Sequence, residues 1–206
     1  MVFDLCVLVD SQLSMADHVA ALSRACLFQT RQLRLVRSSL AEESAKTLVH
    51  AFVSSQLDYC NSLLYGVSDE LLQKLQVIQK AAARVVTGDR KFDHITRSFV
   101  NSTAAVHQRI RFKFAMTVYK CLHGLAPPYL ADDCVLVSSV ASRRHLRSTD
   151  TRKLVVRRTR TVLGARDLAV CCAVVWNSLP TDLRVSSRTV ATFARHLKAY
   201  LFGRPS

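Results

Sequence analysis

Glycine and proline are scarce in this chain, five and four among 206 residues. Turn punctuation is therefore thin, which disfavours many short strands and favours long helices. No stretch approaches the ~18 consecutive apolar residues of a membrane-spanning helix. The apolar opening from Met1 to Val9 is interrupted by Asp4 and has no basic leader, so it makes a poor signal peptide. The patterns G-x-x-x-x-G-K-[ST], G-x-G-x-x-G and G-x-S-x-G are missing, and nucleotide-binding and hydrolase readings lose the backbone elements they need. There is no C-x-x-C pair among Cys6, Cys26, Cys60, Cys121, Cys134, Cys171 and Cys172. An odd number of irregularly spaced thiols, mostly in apolar settings such as Val170 to Val174, reads as buried reduced cysteine in an intracellular chain, cytoplasmic or nuclear. Cys121 and His123 come nearest to a metal pair, but their spacing suits a helix end better than ligation. No cofactor is implied.

Acid is the other shortage. The chain holds 29 Lys and Arg against 15 Asp and Glu, a formal charge of +14. Residues 1–66 carry five bases and six acids, so residues 67–206 carry 24 against nine. A surplus of that size points to a polyanionic partner, nucleic acid before anionic membrane. A merely solubilising basic surface is the plain alternative.

What is abundant is helical spacing, and half of the residues are hydrophobic, enough for a packed core rather than a disordered chain. The pattern predicts a mainly α protein. Val2 to Val9, closed by Asp10, suits one short buried strand. A helix is expected over 15–38, with Val19, Leu22, Cys26, Leu33 and Val36 on its core side and Arg24, Arg31 and Arg34 among the polar positions. A second opens at Glu42 and Glu43, where acids oppose the positive end of the helix dipole, and runs to about Tyr65 before Gly66. A third, with Ser68 at its N-cap position, runs to Val86 and stops at Gly88. A fourth spans about 104–123 and ends at Gly124-Leu-Ala-Pro127-Pro128. Residues 141–166 hold nine Lys and Arg against the single acid Asp150, and their mixture of arginine and β-branched residues fits a basic hairpin or extended arm. Two helices, about 165–178 and 189–202, close the chain around Leu179-Pro180.

Two stretches look reactive. Leu57-Asp58-Tyr59-Cys60-Asn61 sets an acid, a phenol, a thiol and an amide in succession. At about 100° per residue on a helix, Cys60 shares the core side with Val53, Leu57 and Leu64 while Asp58 points away. No histidine stands one turn from the thiol to act as its base. The adjacent Asp132 and Asp133 suggest paired metal-binding carboxylates, yet two-metal chemistry takes carboxylates from more than one segment. Helix precedes this pair instead of a strand bearing its own Asp, so an exposed loop is the expected setting.

Read in order, several blocks carry a resemblance. They are Leu48 through Leu57-Asp-Tyr-Cys-Asn to Gly66, Leu75 to Gly88, His94-Ile-Thr96, Tyr119 to Leu130, Leu146-Arg-Ser148, Trp176-Asn-Ser-Leu-Pro180 and Phe193 to Phe202. Nearly the whole chain thereby resembles the carboxy-terminal region of reverse transcriptases from LINE-type, non-LTR retrotransposons of the jockey-like group. The resemblance implies a strand and turn after the polymerase palm over 1–14, a helical thumb-like bundle over 15–124 and a basic post-thumb region over 125–206. It places the catalytic aspartates upstream of residue 1, so Asp132 and Asp133 do not inherit that role. It also differs in places: the family's Leu-Gly is Leu5-Cys6 here, and its Leu-His-Trp-Leu-Pro turn is Ser102-Thr-Ala-Ala-Val106.

The function expected on these grounds is that of a noncatalytic fragment which holds a template–primer duplex, RNA or RNA–DNA, by its phosphates without reading sequence. Distributed cations serve that purpose. The expected nucleic-acid-binding residues are Lys80, Arg84, Arg109, Lys113, Lys120, Arg143, Arg144, Arg147, Arg157, Arg158 and Arg160. The alternative is a helical protein-interaction domain that packs against the palm and fingers of an intact polymerase or another partner.

Overall fold

The computed structural model describes residues 2–88, 106–140, 151–185 and 189–203. The expected contacts at Arg143, Arg144 and Arg147, the blocks His94–Thr96 and Leu146–Ser148, and the turn at 102–105 lie outside the described residues. The protein is mainly helical and divides into two compact units, residues 1–109 and 110–206. Their boundary falls inside the helix Val106–Leu122.

The first unit opens with a hairpin in place of the single strand expected. Strand β1 (Val2–Asp4) pairs antiparallel with β2 (Val7–Val9), Asp4 opposite Val7. Leu5 and Cys6 form the turn with φ of 43° and 62°. Two successive positive φ values match the right-handed twist of a hairpin but crowd the Cβ of any residue other than glycine. Asp10 then organises the entry to the first long helix. Its carboxylate accepts from the backbone N–H groups of Gln12, Ser14 and Met15 and from the Ser14 hydroxyl, all at 2.8–3.0 Å. These donors, those of Ser14 first, hold its pKa below the ordinary carboxylate value.

Helix α1 (Ala16–Val36) buries Val19, Cys26 and Leu33 as the spacing predicts, and Thr30 with them. Val36 is exposed instead. Helix α2 (Glu42–Val49) continues through a π turn (His50–Ser54) into the single turn α3 (Ser55–Asp58). The helix expected to reach Tyr65 therefore ends at Asp58. Tyr59 is extended, Cys60 takes φ 48° and a 3₁₀ turn (Asn61–Leu64) follows. Helix α4 (Asp69–Thr87) has the predicted limits, with Gly88 at φ 77° as its left-handed end. Its stripe of Leu75, Ile78, Ala82, Val85 and Val86 is buried, and α4 packs on α1 and α2. Burying each of the larger side chains contributes about 1.5–3 kcal/mol. Arg37 locks the junction: Nε and Nη2 donate to the Val85 and Val86 carbonyls at 2.7 and 2.8 Å, and Nη1 donates to Leu40 at 2.8 Å. Cationic donors suit carbonyls at a helix carboxyl end.

Helix α5 (Val106–Leu122) begins in the first unit, where the Val106 N–H donates to Gln76 at 3.1 Å. In the second unit α5 buries Ile110, Phe114, Val118 and Cys121. A short turn α6 (Pro128–Ala131) follows, then α7 (Leu168–Asn177), α8 (Thr181–Val185) and α9 (Val190–Phe202). The paired closing helices match expectation, with α8 added between them. Tyr119 lies face to face with Phe193 at 4.1 Å between ring centroids, and Phe193 meets Trp176 at 6.0 Å. All three rings are fully buried and join α5, α7 and α9 into one core.

Candidate nucleic-acid interface

In the second unit, four consecutive carbonyls of the basic stretch are each taken by a different donor. Thr151 O accepts from Arg184 Nη1 at 2.6 Å, Arg152 O from Trp176 Nε1 at 2.8 Å, Lys153 O from the Val137 N–H at 2.9 Å and Leu154 O from Asn177 Nδ2 at 2.9 Å. Asn177 also accepts the Leu154 N–H at 2.9 Å, so one amide side chain satisfies both sides of that residue as a neighbouring strand would. The Val155 N–H donates to Val135 at 2.8 Å, completing an antiparallel bridge between Leu154 and Leu136. Leu154 is buried. Arg184 is itself buried, and its remaining N–H groups donate to Leu179 O at 3.0 Å and Thr181 Oγ1 at 3.3 Å. Burial lowers its pKa, while neutral acceptors on three sides keep the guanidinium solvated from within.

Beyond this clamp the chain runs through Val156, Arg157, Arg158, Thr159, Arg160, Thr161 and Val162, all exposed, before a 3₁₀ turn (Gly164–Arg166) fixes the far end. There Thr161 Oγ1 accepts the Gly164 N–H at 3.0 Å and Thr161 O accepts the Ala165 N–H at 3.1 Å. The described part of the expected arm is thus a strap tied at both ends. Arg157 Nη2 meets Asp133 at 3.1 Å, which gives that carboxylate a structural partner. Arg158 and Arg160 have no acid of the described residues within ion-pair distance. Lys113 and Lys120 stand exposed on α5, one heptad apart and so on one side of it.

The first unit treats its three expected cations unequally. Lys80 on α4 is exposed and without an acid partner among the described residues. Arg84 is half-buried, with Nε shut away from solvent and no acceptor within reach among the described residues. Arg109 departs most from expectation. Its Nη1 donates to both oxygens of Asp58 at 2.8 Å, and the pair is part-buried. The charge is neutralised inside the protein, so Arg109 is withdrawn from the basic stripe it was expected to share with Lys113 and Lys120. Asp58, expected to point outward, is the reason.

The stretch around Asp58 is corrected with it. Cys60 is half-buried, and Asn61 is the buried member. Asn61 Nδ2 donates to Asp58 at 3.3 Å, and Tyr59 Oη donates to the Leu5 carbonyl at 2.9 Å across the hairpin turn. The four reactive-looking groups act as a helix stop and a tether. Elsewhere Cys121 and Cys134 are neighbours in the second unit, and burial pushes the Cys134 thiol up to about 12. His123 lies over Tyr119 at 4.0 Å, its Nδ1 2.8 Å from the Tyr119 carbonyl. Among the described residues no three His, Cys, Asp or Glu converge to hold a metal ion. No described helix is long and apolar enough to cross a membrane.

No family model, curated protein or solved structure matches this chain. Composition marks the basic stretch but not the residues that present it. Asn177 and Arg184 carry no signal of their own, and Trp176 is visible as part of the Trp176-Asn-Ser-Leu-Pro180 block.

Proposed function

We propose that the chain is a noncatalytic nucleic-acid-binding piece of a LINE-type reverse transcriptase, which grips an RNA or RNA–DNA duplex by its backbone phosphates. The observation that carries this reading is the exposure of Lys80, Lys120, Arg158 and Arg160 with no acid partner among the described residues. Cations that neither pack nor pair within a fold are available to displace the counterions of a polyanion. The strap supports the reading further, because its clamp holds the flanking backbone while leaving the arginine heads in solvent. Cys6 supports the family assignment in a different way. It takes a positive φ at the place where the resembling polymerases carry glycine.

The test is fluorescence anisotropy of the full chain with a labelled RNA–DNA hybrid over a salt series. The association constant should fall with a log–log slope of about −0.9 for each duplex phosphate neutralised. Arg158→Ala/Arg160→Ala should flatten the slope, while scrambled hybrid sequences should bind alike. Salt-insensitive binding, or none at about 50 mM salt, overturns the proposal.

A further inference from the structure

Helix α1 has one face in the core and another that nothing in the described structure covers. Val19, Cys26, Thr30 and Leu33 fix the buried side. Opposite them, at intervals of seven, stand Ala21, Phe28 and Leu35, and the last two are 57% and 76% exposed. Ala25 and Gln32, both exposed, complete the spacing 21, 25, 28, 32, 35. Alternating steps of four and three are those of a helix–helix seam. Over about 20 Å of helix this ridge offers two large apolar side chains with the exposed Gln32 between them, and the small Ala21 and Ala25 before Phe28 leave room for a neighbour's knobs.

The ridge has one charged edge. Arg24 and Arg31, seven residues apart, flank Phe28 from the same side, with Arg34 just beyond them. All three are exposed, and none has an acid within ion-pair distance among the described residues. In paired helices such flanking positions choose the partner by charge. Asp17 continues that edge one heptad before Arg24, yet the antiparallel register that lays Phe28 against Leu35 of a second copy brings arginine toward arginine, and parallel register gives Arg24 only Gln29. A single nucleic-acid strand has use for the arginines and for the Phe28 ring, but none for Leu35.

We propose that the exposed face of α1 is a docking ridge for an amphipathic helix of a partner protein, one whose apolar stripe covers Phe28 and Leu35 and whose acidic edge meets Arg24 and Arg31. The proposal is independent of the nucleic-acid reading, which rests on residues of other elements.

Two labelled synthetic peptides of three heptads test it by anisotropy against the full chain. Both carry leucine at the seam, one with glutamate and the other with lysine at the flanking positions. The glutamate peptide should bind, with the lysine twin weaker by about tenfold or more, as like charges across an interface require. Arg24→Glu/Arg31→Glu should reverse that preference. Phe28→Asp and Leu35→Asp should each abolish binding of the glutamate peptide while circular dichroism stays native, since both positions are solvent-exposed. A glutamate peptide that does not bind overturns the proposal. So does one held equally well by the doubly reversed variant, which marks attraction to the net positive charge alone. A thymidine oligonucleotide released by Phe28→Asp while the peptide stays bound assigns the ridge to nucleic acid and overturns it too.

Discussion

Arg109 and Asp58 stand far apart in sequence and share two hydrogen bonds of 2.8 Å. Removing the cation takes the charged donor from a part-buried carboxylate, which costs more than the pair contributes by existing. Arg109→Met should therefore lower stability by about 1–2 kcal/mol in urea unfolding and leave the salt slope of nucleic-acid binding where it was. A slope that drops by a full phosphate would show that Arg109 serves the interface after all. Cys6 makes the opposite prediction. At φ 62° its Cβ crowds the backbone, so Cys6→Gly should raise stability by roughly 0.5–1 kcal/mol, read as a higher urea midpoint. A lower midpoint would mean that the cysteine side chain packs more usefully than its backbone suffers.

Elements show what could be read in advance and what could not. Helix α4 was legible because its limits are local: Asp69 and Glu70 follow Ser68 at the start, and Gly88 ends it. The stop at Asp58 was not legible, because Cys60 adopts a left-handed conformation that its residue type does not advertise. Neither was the strap, whose donors come from Val137, Trp176, Asn177 and Arg184, well outside any local window. Asn177→Ala removes both of its bonds to Leu154 at once. It should cost about 1–3 kcal/mol and speed tryptic cleavage at Arg157, Arg158 and Arg160 under native conditions. An unchanged cleavage rate would show that the remaining donors suffice.

The hairpin has a titratable anchor of its own. His18 is buried and its Nδ1 receives the Leu8 N–H at 3.4 Å. Burial lowers the pKa of its ring from 6.5, so the folded protein binds fewer protons there than the unfolded chain. Its contribution is complete above the unfolded value and is lost as pH falls through the depressed one. Thermal stability should decline on acidification below about 6.5, and His18→Gln should flatten that limb. An equal decline in the variant would place the titration elsewhere.

For the molecule as a whole, seven thiols offer a test of the packing that sequence could only suggest. Cys6 is exposed and Cys60 half-buried, whereas Cys26, Cys121, Cys134, Cys171 and Cys172 are buried. Burial raises the pKa of all five, Cys26 and Cys171 to about 11, and only the thiolate attacks. In a native titration with an aromatic disulfide reagent, Cys6 should react first and Cys60 next, with the five others appearing only on unfolding. Rapid reaction of all seven would contradict the core described above. The charge surplus was plain from composition, yet composition could not say which cations the fold keeps. Asp58 withdraws one and Asp133 holds another, and the strap leaves Arg158 and Arg160 outside.

Because the strap is secured residue by residue on one side and only by its turn on the other, its two halves should differ in their tolerance of changed length. An added residue between Val156 and Val162 lengthens a closed loop, and loop closure grows so slowly that even doubling it costs about 0.6 kcal/mol. An added residue between Thr151 and Leu154 moves every following carbonyl off its donor together. The number of residues is free where the arginines stand and fixed where the backbone is held.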